Sequence, residues 1–163
     1  MSTGLCDTGQ KAPEKGMTMP VNDDQVAVLH ALLTDDVERH KVLYSQLDRA
    51  EARTGYTALV AGAFCEAAER RFPQGHQPAD VITFVGDVRS RSERLARELD
   101  PQVAERIIRA VLGEGSISDL SDATVAGTQI VLLAALIADE QLDDAGLDTF
   151  LGSARKLADQ LMS

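Results

Sequence analysis

Tryptophan is absent from this sequence, and aromatic residues of every kind fill only 4% of its 163 positions. A core must therefore be assembled from Leu, Val, Ile and Ala, with a few Phe as the largest pieces. Cysteine is nearly absent too. Cys6 stands in a polar start and Cys65 in an apolar stretch, so neither a disulfide framework nor a C-x-x-C metal pattern exists. Such usage predicts a reducing, cytoplasmic setting.

Positive charge is scarce: 16 Lys and Arg stand against 26 Asp and Glu, a formal net charge of −10. Phosphate backbones and anionic membrane surfaces repel an acidic protein, so the expectation is no nucleic acid and no membrane partner. No run attains the roughly 18 uninterrupted apolar residues of a bilayer span. Val125–Ala138 comes nearest and is interrupted by Thr128 and Gln129. The opening "MSTGLCDTGQKAPEKGMTMP" has no apolar signal core, and Met17 and Met19 offer alternative starts. Its Gly, Thr, Lys and Pro predict a disordered tail over residues 1–21, ahead of a single helical domain over 22–163.

What is present is helical periodicity. Val26, Leu29, Leu33, Val37, Tyr44 and Leu47 advance by three, four or seven, predicting a first helix from Asp23 to Asp48 capped by Asn22. A second, over Thr57–Phe72, is apolar all round and therefore expected at the centre. "PQGHQP" (73–78) is a connection. Val81, Phe84, Val85, Val88, Leu95 and Leu99 form one stripe of a third helix, Ala79–Leu99. Asp100 before Pro101 pairs a cap with a first-turn proline and opens a fourth, Pro101–Leu112. The fifth spans Asp122–Glu140, again apolar nearly all round, and the sixth Asp144–Met162. With no convincing alternating run, the fold class is all-α, a six-helix bundle.

Three phrases recur in order. "QVA" at 25–27 returns at 102–104, "ALVAGA" at 58–63 aligns with "ATVAGT" at 123–128, and "DVITFVGDVR" at 80–89 with "GLDTFLGSAR" at 146–155. The economical reading is a duplicated three-helix unit, 22–99 and 100–163, related by a pseudo-twofold axis. Gly62, Gly86, Gly127 and Gly152 fall inside predicted helices, where each costs about 1 kcal/mol relative to Ala. We expect close packing to compensate: the second and fifth helices crossing near Gly62 and Gly127, and equivalent contacts at Gly86 and Gly152.

Signatures of catalysis are missing. There is no Gly-rich phosphate loop, no G-x-S-x-G and no H-E-x-x-H, so no catalytic residue and no cofactor is assigned. Asp36 and His40 lie one turn apart, as do Glu66 and Glu69, making these four the only metal-ligand candidates. A di-iron bundle would place Glu three residues before His, and those positions hold Val37 and Ala27. The plainer expectation is His40 at the core's edge beside Asp36 or Tyr44, and Glu66 paired with Arg70 in the favourable i to i+4 order. Cys65, among Ala and Phe, reads as an inert buried thiol. Arg89, Arg91, Arg94 and Arg97 are interleaved with Asp87, Glu93 and Glu98, a salt-bridged surface. A DNA-reading helix-turn-helix from the fourth and fifth helices is disfavoured by the acidic charge, and the second of the pair is too apolar for a groove.

Poor chemistry and rich packing together point to a non-enzymatic interaction module, a homo-oligomer or the companion of another protein. The alternative is a small-molecule or metal-binding bundle with its site between the halves. Thr128, Gln129 and Glu66 are the polar residues available to point into such a site.

Overall fold

A computed structural model of the protein describes residues 21–47, 50 and 52–162. The predicted tail lies outside the described residues except for Val21. That residue is buried, with its N–H donating to Asp159 Oδ1 at 2.9 Å, so Val21 packs with the helical domain rather than with the predicted tail. The described residues form an all-α fold with no strand, and with eight α-helices rather than six.

The extra helices come from two breaks that the apolar stripes run straight through. α1 (Asp23–Leu33) begins in a reciprocal cap: Gln25 N–H donates to Asn22 Oδ1 (2.9 Å) and Asn22 N–H to Gln25 Oε1 (3.0 Å). It ends where Thr34 turns its hydroxyl back to the His30 carbonyl (2.9 Å) and Asp35 adopts φ +60°. Asp36 then accepts from Arg39 N–H and starts α2 (Val37–Gln46). Thr and Asp offer the backbone such local alternatives to a continuous helix. The predicted third helix divides in the same way. α4 (Pro78–Arg89) stops at Ser90, whose hydroxyl donates to the Asp87 carbonyl, and Ser92 caps α5 (Glu93–Glu98).

The other boundaries lie where the caps put them. A π-helical turn (Ala52–Tyr56) leads into α3 (Thr57–Arg71). Asp100 caps α6 (Pro101–Val111), and Ser121 caps α7 (Asp122–Glu140), which Gln141 ends in a left-handed conformation. α8 (Asp144–Met162) closes the described chain.

α3 is the axle. It packs most extensively along α8, then along α7, and also meets α1, α6 and the π turn. Phe64, Phe84, Phe150, Leu29, Leu59, Ile107, Ile108 and Leu132 are among the largest fully buried side chains. Arg70 ties three helices at the rim: it bonds Glu66 on α3 (3.2 Å) and Glu140 on α7 (3.0 Å), and lies 5.2 Å from the Phe150 ring centre on α8.

Gly62 is a site of backbone crowding, but its partner is α8. A Cβ there would come within 2.7 Å of the Ala154 carbonyl oxygen and 3.0 Å of Ala158 N. The expected crossing with Gly127 does not form. Gly127, Gly86 and Gly152 are exposed and face open space, with no atom within 4 Å of a built Cβ. The physical reason is that α7 is not a central helix. Leu132, Leu133, Leu136 and Ile137 are buried, whereas no residue between Asp122 and Val131 is. Nor does α7 form with α4 a seam comparable to that of α3 with α8, as a strict twofold would require.

Candidate ligand-binding cavity

The half of α7 that misses the core forms one wall of a cavity of about 310 Å³. Leu32 at the end of α1 and Val60 on α3 supply its apolar floor, Ala126 and Ile130 the α7 side. Polar groups enter singly: Thr57 at the start of α3, Gln129 from α7, His40 and Tyr44 from α2, and Tyr56 from the π turn. Among the described residues no Asp, Glu, Lys or Arg lines it.

Three rings run across one side. His40 stacks on Tyr44 (centroids 5.9 Å apart, planes at 28°), and Tyr44 meets Tyr56 edge-on (5.8 Å, 74°). The spacing follows from the sequence: residues 40 and 44 are one turn apart on α2 and share a face. Tyr56 is held rigidly. It is 5% exposed in a turn whose Gly55 leaves room for buried Gln25; a Cβ at Gly55 would fall 2.2 Å from Gln25 Nε2. The Tyr56 hydroxyl has no hydrogen-bond partner among the described residues and no contact with solvent. Burial, and then the neighbouring Tyr44, push its pKa far up, so it remains a neutral phenol.

The residues singled out in the sequence scatter. Asp36 spends its carboxylate on capping α2. His40 reaches the cavity wall beside Tyr44. Glu66 pairs with Arg70 as its spacing predicts. Glu69 lies beside Cys65, whose half-buried thiol is pushed up in pKa by burial first, then by Glu69 and Glu66. Among the described residues no three His, Cys, Asp or Glu side chains converge as metal ligands. Three of the four arginines singled out are spent internally: Arg89 donates to the Leu99 and Ala96 carbonyls, Arg91 pairs with Asp87 and Asp139, and Arg94 with Glu98.

Of the three polar residues suggested for a site between the halves, Gln129 lines the cavity, and Thr128 and Glu66 do not. The two tyrosines were missed as site residues. Their signal was available: the chain has only two Tyr, flanking one break in helical pattern, and Tyr44 fits the apolar stripe well enough to pass for core. No known protein-family model, curated protein or solved structure matches the chain.

Proposed function

We propose that the chain is a non-catalytic binding protein for a small, predominantly apolar molecule held between α1, α2, α3 and α7. The carrying observation is the cavity itself, a concave apolar space with a few single polar groups in its wall, the usual make-up of a small-molecule site. The uncharged lining among the described residues supports binding over acid–base chemistry. The test is thermal shift of the wild type and of Ala126→Phe, which fills the space, against a library of uncharged fragments. The reading expects stabilising hits in the wild type that vanish in Ala126→Phe; a flat response from the wild type sinks it.

A second reading, association, has its own observation. The most apolar 18-residue window of α7 has mean hydropathy 1.4 and is only 28% buried, and among the described residues it is the one helix long and apolar enough to cross a membrane. α2 adds exposed Val37 and Val42. Exposed apolar side chains of this kind support a homo-oligomer, with a second copy of the chain covering α7.

A further inference from the structure

We propose that a second site, a groove between α1 and α8 met at one end by α2, binds an α-amino acid with an aliphatic side chain. The groove shares no residue with the cavity between α1, α2, α3 and α7 and stands or falls independently of it.

Its two walls run antiparallel. Val21 N–H meets Asp159 and, two residues on, Asp23 meets Arg155 at 2.7 Å, so the α8 numbers fall as those of α1 rise. Seven residues further along each helix, about 10 Å away, His30 comes level with Asp148. α2 begins just beyond the end of α1, and its Arg39 joins the lining at that far end. The space enclosed is about 420 Å³, with Val26, Ala27 and Leu151 as its apolar middle.

The charges decide the ligand. Asp23 and Arg155 satisfy each other. Among the described residues neither the Arg39 guanidinium nor the Asp148 carboxylate has a partner, although both line the groove. A simple anion would suit Arg39 and be repelled by Asp148; a simple cation meets the reverse. A zwitterion satisfies both, its carboxylate on Arg39 and its ammonium on Asp148.

The room for a side chain comes from Gly152. Glycine inside an exposed helix is unfavourable beside alanine, and here no close packing compensates, since a built Cβ meets no atom within 4 Å. Its missing side chain leaves a notch in the α8 wall, one turn from Asp148 and beside Leu151. An aliphatic chain extending from the head group fills that notch and covers the apolar middle.

The experiment titrates L-leucine, N-acetyl-L-leucine, which lacks the ammonium, and L-leucinamide, which lacks the carboxylate, into the full chain while the methyl signals of Val26 and Leu151 are followed. Leucine should bind about fivefold tighter than either blocked form, the upper end of what one exposed ion pair gives. Arg39→Gln should erase the advantage over leucinamide, and Asp148→Asn the advantage over N-acetyl-leucine. Gly152→Leu should abolish binding without lowering the melting temperature. A merely structural role for these residues would weaken all three probes alike. Equal binding of the three overturns the proposal, as does tighter binding of N-acetyl-leucine than of leucine, the mark of a bare anion site. A wild type in which no probe moves the two methyl signals overturns it as well.

Discussion

At Gly62 and Gly152 the same residue type in the middle of a helix has opposite consequences, because the surroundings differ. Gly62 meets the α8 backbone, which cannot rotate away as a side chain does. Gly62→Leu should destabilise by about 3 kcal/mol, at the upper end of overpacking penalties. Gly152→Leu enters open space on the exposed face of α8 and should be neutral or stabilise by up to about 1 kcal/mol through helix propensity. Urea titration of the pair decides it; equal losses would mean that the Gly62 contact is not the seam it looks like. Tyr56 gives a second contrast. Tyr56→Phe removes a partnerless buried hydroxyl and should raise the unliganded protein's stability by about 1 kcal/mol. Its pH signature has a definite sign. The folded-state pKa lies above the ordinary 10.0, so the folded protein holds this proton after the unfolded chain has released it. Stability from this group is complete below pH 10 and declines as pH rises further. The wild-type minus Tyr56→Phe difference in melting temperature should therefore widen between pH 9 and 11; a constant difference would show that the phenol ionises normally.

Among the elements, α2 is weakly anchored. It packs mainly on α1, touches the core through Leu43 and the π turn through Tyr44, has no fully buried residue and starts at the Asp36 cap. Elements of this kind open with little free energy. Hydrogen exchange should show the α2 amides exchanging well before those of α3, and Asp36→Ala should speed α2 further while leaving α3 nearly unchanged. Coincident exchange of both helices would make α2 part of the cooperative core. The same element explains what was legible in the sequence and what was not. α3, α6, α7 and α8 have strong local punctuation (Asp100–Pro101, Ser121) and lie where periodicity and caps predict. The breaks at Thr34–Asp36 and Ser90–Ser92 were hidden because apolar residues keep helical spacing on either side, and spacing alone does not register a residue with positive φ. Two of the nine cavity residues were legible, Gln129 and His40 at the core's edge. The remainder was not, because it depends on which helices are neighbours. Apolarity all round placed α7 in the centre, yet the core is filled by α3 against α8 and only the C-terminal half of α7 enters it.

For the whole molecule, a net charge of −10 opposes any meeting of two copies, so association requires a face from which charge is excluded. α7 supplies one: no Asp, Glu, Lys or Arg occurs from Ala123 to Ala138, and Gly127 sits exposed within it. Two forces then compete, apolar burial at the contact and repulsion between the acidic remainders. Salt separates them, since it shortens the screening length from about 10 Å at 0.1 M to about 3 Å at 1 M and weakens only the repulsion. Self-association through α7 should therefore strengthen as salt is raised, the reverse of a contact made by charge pairs. Gly127→Arg places a cation in the middle of the uncharged stretch, at a position with room for it, so the monomer should keep its melting temperature. Sedimentation across concentration at both salt levels gives the reading: a wild type that dimerises more readily at high salt, beside a Gly127→Arg variant that stays monomeric, identifies α7 as the contact. A wild type that sediments as a monomer at high concentration and 1 M salt would leave the exposed half of α7 to the cavity alone.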